Sequence, residues 1–189
     1  MTQVNEGIAA TIRERRTINQ FTGEVIPKEV MLALLDDAVW APFHSRNEPW
    51  RFIMYLGAGR KQFSDAVLLT YPKDKLEKLG PQVEDAYCKQ VPVTLLVLIE
   101  EEPRPKEWEE AFSAASALIQ NLQLLAWERG IGVVWKTNEY NWSPEFREAA
   151  GVKPGEKVVG TLHLGYFDPV KVRKAKQRKS AAELTTLFE

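Results

Sequence analysis

Residues 41–52 read Ala41-Pro42-Phe43-His44-Ser45-Arg46-Asn47-Glu48-Pro49-Trp50-Arg51-Phe52. A strand pattern follows this stretch in residues 52–56, and a helical pattern precedes it. The apolar residues of that helical pattern recur at spacings of four and three: Val30, Leu34, Ala38 and Ala41. Pro42 and Pro49 keep the backbone between them out of helix and out of a regular sheet ladder. A loop with this many charged, polar and aromatic groups is typical of a binding site, and a polar surface turn is the alternative.

Two helices are predicted before this loop. Residues 3–15 carry Val4, Ile8 and Ile12 at a spacing of four, which predicts an amphipathic first helix. Pro27 at the first helical position predicts the start of a second helix that continues to Val39 or Trp40.

The end of the first helix carries two adjacent arginines and a hydroxyl group, Arg15, Arg16 and Thr17. Forked guanidinium donors and a short hydroxyl donor can hold a phosphate together. A solvated helix end is the alternative, because cations are also favourable near the C-terminal end of the helix dipole. The triplet alone does not separate the two interpretations.

The middle of the chain predicts one deeply buried strand. Residues 71–90 are interpreted as helix, and residues 91–99 are almost entirely apolar and β-branched, which predicts a strand buried on both faces. Residues 100–110 are acidic and are interrupted by Pro103 and Pro105, so they predict an exposed loop.

The second half predicts a long central helix and two further strands. The helix spans Ala111 to Arg129, with an apolar stripe and small residues on its other side, and Gly130 ends it. A short strand over residues 131–138, a helix from Pro144 to Ala150 and a strand over residues 158–166 follow. His163 lies inside the last strand and is interpreted as a packed, hydrogen-bonded core residue rather than a ligand. A basic tail follows from residue 171 and closes with an amphipathic piece, residues 184–188.

Composition limits the class of protein. The chain has 189 residues, a net charge of −1, two histidines and one cysteine, Cys88. It therefore has no intramolecular disulfide, and we expect no metal site. The balanced charge gives no field that would attract nucleic acid or an anionic membrane. We find neither a secretory signal nor a spanning segment and expect a soluble, cytoplasmic protein without nucleic-acid or membrane partners.

Several separated segments together resemble the FMN-dependent nitroreductase family. They are residues 12–17, the loop over residues 41–52, Gly130-Ile131-Gly132 with Trp135-Lys136-Thr137, and the late strand with Gly160 and Gly165. Their order and spacing carry the resemblance, which covers most of the chain and is weakest over residues 68–90. The His-bearing form of the loop is most similar to a compact subgroup of minimal members.

The resemblance implies an α+β fold with a mixed, largely antiparallel sheet flanked by helices. It implies one domain over residues 1–189 and an intertwined homodimer with two FMN molecules at the interface, in which the tail, residues 171–189, packs on the partner. NADPH or NADH would be the electron donor. The FMN-binding residues carried over by position are Arg15, Arg16, Thr17, His44 from the partner's loop, Trp135, Lys136, Thr137 and, by a looser match, Arg178.

The implied reaction is hydride transfer from NAD(P)H through FMN to a nitroaromatic, quinone or enone acceptor, with no catalytic side chain, because the flavin carries the chemistry. Two positions depart from the family pattern. Asn19 stands where a Lys or Arg is frequent, and Phe43 where Ser or Asn is frequent. Lys136 or Arg16 is then the candidate cation beside the flavin N1. A flavin-binding interaction or sensor module without turnover is the alternative, and nucleic-acid binding through the basic tail is a third hypothesis.

Overall fold

A computed structural model of the protein describes residues 6–44 and 48–189. The first residues of the predicted first helix, Val4 among them, and the loop residues Ser45, Arg46 and Asn47 lie outside the described residues. The helices are α1 (Glu6–Glu14), α2 (Lys28–Ala38), α3 (Gly59–Leu68), α4 (Lys73–Asp85), α5 (Pro105–Glu128), α6 (Pro144–Ala149) and α7 (Ala181–Leu184). The strands are β1 (Trp50–Leu56), β2 (Val93–Glu100), β3 (Ile131–Lys136) and β4 (Glu156–Tyr166).

The four strands form one antiparallel sheet in the order β1-β2-β4-β3. Along the outer edge of β3, Thr17 makes a parallel bridge with Val133. The implied α+β fold with a largely antiparallel sheet is confirmed.

Strand β2 is buried on both of its faces, as its sequence predicts. Because side chains alternate along a strand, Val93, Leu95 and Val97 join one apolar cluster, whereas Leu96 and Leu98 join another. Helices α2 and α5 cover the first face, and α3 and α6 cover the second. The sheet is therefore the middle of three layers.

Strand β4 contains a bulge at Val159. Val97 pairs with Gly160 and Leu98 pairs with Val158, so Val159 has no partner on β2. A bulge of this kind leaves one residue out of the ladder and shifts the alternation of the strand. Val158 accordingly packs in the second cluster, and Val159 packs in the first.

The predicted boundaries were wrong at two prolines. Residues 100–110 are not wholly an exposed loop, because α5 begins at Pro105 rather than at Ala111. Proline is favourable in the first turn of a helix, where its missing N–H costs no hydrogen bond, and Glu107 in that turn complements the helix dipole. Pro27 is the residue before the first turn of α2 rather than its first helical residue.

Other predicted elements differ less. The helix predicted over residues 71–90 begins at Lys73 and ends in a π-helical turn, Ala86–Gln90. The amphipathic piece predicted over residues 184–188 is not helical beyond Leu184. Within the described ranges, none of the helices has the length and apolarity needed to cross a lipid bilayer.

His163 is a packed core residue, as its sequence context predicts. It is 1% exposed, and its Nδ1 lies 3.0 Å from the Thr94 hydroxyl oxygen on β2. The rings of Phe63 and Tyr87 pack against the imidazole. Burial, with a smaller contribution from Lys136, lowers the pKa of His163 to about 3, so the imidazole is neutral in the folded protein.

Neutral burial of His163 predicts a pH-dependent stability. The unfolded chain binds a proton here near pH 6.5, whereas the folded chain binds it only near pH 3, so the free energy of unfolding falls as the pH is lowered through this window. The expected loss is about 1.4 kcal/mol per pH unit, or about 2 kcal/mol at pH 5. Urea unfolding of the wild type and His163→Gln between pH 4.5 and pH 8 measures the difference in slope. Equal slopes would contradict a neutral buried His163.

Candidate functional site

The arginine pair lies where α1 gives way to the segment that reaches the sheet. The Arg15 side chain donates to Gln123 Oε1 on α5 at 3.4 Å. Arg16 donates to the backbone carbonyls of Arg13, at 2.6 Å, and of Arg15, at 2.8 Å, which fixes its guanidinium at the end of α1.

Both guanidinium groups keep an unused donor. The Nε atoms of Arg15 and Arg16 are buried and have no hydrogen-bond partner within the described part of the chain. Neither side chain forms an ion pair with a described residue. Burial and the adjacent Arg16 charge lower the pKa of Arg15. Two close cations with unsatisfied N–H groups are favourable partners for an anion.

Thr17 connects this pair to the sheet edge. Its bridge to Val133, together with the hydrogen bond from Ile18 N to Val133 O at 3.1 Å, holds the segment beside β3. Gly132 permits this approach, because a Cβ there would overlap the Ile18 side chain. Thr17, which is exposed, therefore lies between the arginine pair and β3.

The β3 residues Trp135 and Lys136 lie on opposite faces of the sheet. Trp135 packs against the cluster that α2 and α5 cover, whereas Lys136 lies on the face of His163. The Trp135 indole Nε1 donates to the carbonyl of Val159 at 3.3 Å, which gives the bulged residue a partner. Thr137 follows the strand and is exposed.

His44 lies on the surface near the N-terminal half of α5. Its Nε2 is 3.6 Å from Glu110 Oε2, its side chain is 71% exposed, and its ring packs against Phe43. These groups border an open apolar depression of about 560 Å³ with Ser113, Ala114 and Ala117 of α5.

A single chain does not bring His44 to the arginine pair. His44 contacts α5 at Glu110, and Arg15 contacts it at Gln123. Thirteen residues of helix at 1.5 Å each place these contacts about 20 Å apart. Arg178 lies in the exposed tail.

Sequence reasoning missed the partners of these residues. Gln123 is a polar residue on the buried side of α5, 6% exposed, and this interruption of the apolar stripe is a readable signal. For Glu110 the sequence indicates only an acidic loop and no partner. No group of three or more His, Cys, Asp or Glu side chains in residues 6–44 and 48–189 is arranged to hold a metal ion.

A family model and a relative of known sequence both match most of this chain. The model of the nitroreductase family matches residues 12–166. The chain is 36% identical over 161 residues to YfhC of Bacillus subtilis (strain 168), a candidate NAD(P)H nitroreductase, and the match covers 83% of this chain and 82% of YfhC.

Two crystal structures extend the comparison. A nitroreductase-like family protein from Bacillus cereus is 40% identical, with a TM-score of 0.91 over 100% of this chain and 99% of that chain. The FMN-dependent nitroreductase NfnB from Mycobacterium smegmatis, solved in complex with NADPH, shares the fold at 17% identity, with a TM-score of 0.75 over 99% and 100% of the two chains.

Because Trp135 packs against β4 at Gly160, we expect a larger residue at position 160 to destabilise the folded protein. A Cβ at Gly160 would overlap the Trp135 indole, so Gly160→Ala must displace the ring and its hydrogen bond to Val159. We expect a loss of about 1–3 kcal/mol in the free energy of unfolding, measured by urea denaturation. Gly59→Ala, where a Cβ meets no atom within 4 Å, is the matched control. Equal stability of the two variants would contradict this packing.

Proposed function

This chain belongs to the nitroreductase family, and we propose that it is an FMN-dependent oxidoreductase that takes electrons from NADPH or NADH and passes them to nitroaromatic, quinone or enone acceptors. The family match and the named activities of YfhC and NfnB support this proposal. Within the chain, the supporting observation is the arginine pair at the end of α1.

The arginine pair fits the phosphate of FMN. Both Nε–H groups are buried without a partner, and a phosphate oxygen is a charged acceptor for them. The hydrogen bonds from Arg16 to two backbone carbonyls hold its guanidinium before any ligand arrives. Preorganised donors of this kind bind tightly because less conformational entropy is lost on binding.

The remaining contacts extend from the same edge of the sheet. In this proposal the Thr17 hydroxyl donates to the phosphate or ribityl chain, and Trp135 and Thr137 border the ring system. Lys136 remains the candidate cation beside the flavin N1; its side chain lies on the opposite face of the sheet from Trp135, so it would reach the flavin around the end of β3. Bound FMN would supply the hydride acceptor and donor, and the protein would supply position and electrostatics.

We propose further that the site is completed by a second copy of the chain. Because His44 and Arg15 contact α5 about 20 Å apart, the His44 that meets the cofactor would belong to the partner. Large apolar side chains support an interface: Ile8 and Ile12 on α1, Trp40 after α2, and Leu187 and Phe188 in the tail are all more than half exposed. In this proposal the tail packs on the partner and brings Arg178 to the phosphate.

Removal of one guanidinium tests the phosphate site. Arg16→Gln should weaken FMN binding about ten- to a hundredfold, because a charge-assisted hydrogen bond contributes about 1.5–3 kcal/mol. Fluorescence titration of the apoprotein with FMN measures the affinity. NADPH or NADH oxidation with a quinone acceptor should fall in parallel at limiting FMN and recover at saturating FMN.

Arg13→Gln is the matched control. Arg13 is an exposed arginine on the same helix, and only its backbone carbonyl contacts Arg16. Full flavin affinity in Arg16→Gln, or an equal loss in Arg13→Gln, would place the phosphate elsewhere. A wild-type chain that binds FMN without oxidising NADPH or NADH in the presence of any of the three acceptor classes would contradict the enzymatic proposal.

Mixed dimers test the sharing of each site between two chains. Arg16→Gln and His44→Ala chains should each bind FMN poorly alone. When they are coexpressed, each heterodimer has one site that combines an intact Arg16 with an intact His44 from the other chain. We expect high-affinity binding at about a quarter of all sites.

A site formed by one chain alone gives a different result. If Arg16 and His44 served one site from the same chain, every site in the mixture would carry one substitution, and coexpression would restore nothing. Sedimentation of wild-type protein should give twice the chain mass of 21.5 kDa. A flavin-loaded monomer would contradict the shared site.

A further inference from the structure

A buried polar side chain lies beside the arginine pair. Gln123 is 6% exposed on α5, where the apolar side chains of Ile119, Leu122 and Ala126 around it are fully buried. A glutamine among such neighbours costs free energy unless both polar ends of its amide have partners. A methionine would fill a similar space without that cost, so the partners of the amide indicate its role.

The amide of Gln123 joins Arg15 to Gln120. Its Oε1 accepts from Nη1 of Arg15 at 3.4 Å, and its Nε2 donates to Gln120 Oε1 at 3.4 Å. Because a guanidinium carries only donors, the oxygen end of the amide must face Arg15, which leaves the nitrogen end for Gln120. Both ends of the buried amide are therefore used, and one of them is committed to the arginine pair.

The acceptor that holds Arg15 is polar but carries no charge. Burial, followed by the adjacent Arg16 charge, lowers the pKa of Arg15. A carboxylate at position 123 would relieve this repulsion, but it would also cancel one of the two positive charges. No acidic side chain in the described ranges forms an ion pair with either arginine. The amide satisfies an N–H group of Arg15 and leaves the charge of the pair intact.

A second hydrogen bond between this segment and α5 provides a comparison. Glu128, the acidic residue of α5 closest in sequence to Gln123, is exposed, and its Oε1 accepts from the Thr11 hydroxyl at 3.3 Å. Thr11 lies one turn before Arg15 on α1. If the bond from Arg15 to Gln123 served only to fasten α1 to α5, the bond from Thr11 would have the same purpose. The two bonds differ in that only the first involves a member of the arginine pair.

We propose that Gln123 is a positioning residue for phosphate binding, which holds the Arg15 guanidinium in place without cancelling its charge. Gln123 Oε1 holds one N–H group of Arg15, and the buried Nε–H group keeps no partner among the described residues. Arg16 is held in the same manner by two backbone carbonyls. Neutral acceptors thus fix both guanidinium groups, and the full charge of the pair stays available for a phosphate monoester dianion.

The phosphate in question is that of FMN, so the role of Gln123 rests on the proposed function. Donors that are already held lose less conformational entropy when a ligand binds. Without the Gln123 acceptor, the Arg15 side chain would regain rotamer freedom and one of its N–H groups would lose its bond. Phosphate binding would then weaken, although both guanidinium groups were still present.

Inorganic phosphate tests this role in the flavin-free chain. Phosphate that binds the arginine pair should raise the urea midpoint of unfolding relative to sodium chloride of the same ionic strength, because a ligand of the folded state stabilises it. Gln123→Met removes the acceptor and keeps an unbranched side chain, so it should need about three- to tenfold more phosphate for the same increase. Gln123→Glu places a carboxylate against Arg15 and should need at least about tenfold more phosphate.

FMN and riboflavin test the same role with the whole cofactor. The two molecules share the ring system and the ribityl chain, so the ratio of their affinities isolates the phosphate. In fluorescence titrations the wild type should prefer FMN, and both Gln123 variants should lose FMN affinity by the factors given for phosphate, while riboflavin affinity changes little. A residue that serves packing alone would weaken both flavins alike. Thr11→Val, which removes the other bond to α5, should behave like the wild type with either flavin and with phosphate.

Three results would overturn the role of Gln123: equal losses for FMN and riboflavin in Gln123→Met, wild-type affinity for FMN in Gln123→Glu, or a phosphate-specific loss in Thr11→Val. Gln123→Glu keeps the test decisive if Gln123→Met folds poorly. Protection by inorganic phosphate that depends on Gln123, without a preference for FMN over riboflavin, would support Gln123 and contradict the assignment of the phosphate to FMN. A wild type that gains nothing from inorganic phosphate and binds both flavins alike would exclude the anion site and overturn both.

Discussion

Strand β2 has no polar face, and this constraint organises the molecule. Its alternate side chains must enter two different apolar clusters, so helices have to cover both sides of the sheet. Burial of apolar surface stabilises by about 25 cal/mol per Å², which makes the twofold coverage of a central strand a large favourable contribution. Strands β1 and β4 pair with the two sides of β2. Strand β3 therefore pairs with β4 and lies at the outer edge of the sheet, where Thr17 can pair with Val133. The position of the arginine pair thus depends on the burial of β2.

The elements that the sequence predicts well are those with a local apolar pattern. Strands β2 and β4 lie within two residues of their predicted bounds, and α5 ends one residue before its predicted end. The start of α5 was wrong because the same residue types signal opposite structures. Pro105 and the acidic residues near it are typical of loops, and they are equally favourable in the first turn of a helix.

The residues of the candidate site also differ in whether a local sequence pattern or a tertiary contact brings them together. Arg15, Arg16 and Thr17 are adjacent in the chain, so their combination is readable from the sequence. Gln123 and Glu110, which contact the arginine pair and His44, come from tertiary packing. The separation of Trp135 from Lys136 follows from the two-residue period of a strand and was available to sequence reasoning.

The bulge at Val159 makes β4 sensitive to its length rather than to its composition. Glu156 lies on the side of Arg51, which donates to its carboxylate through Nε and Nη2 at 2.6 Å, only because the extra residue shifts the strand by one position. Deletion of Val159 itself would close the ladder and leave Val158 opposite Leu98 and Glu156 opposite Glu100, whereas deletion of a residue beside the bulge would place Glu156 in the opposite layer if the bulge persisted. Among homologous chains, a one-residue deletion in this strand should therefore be found only together with loss of the bulge, while other insertions and deletions should be confined to the loops at its two ends.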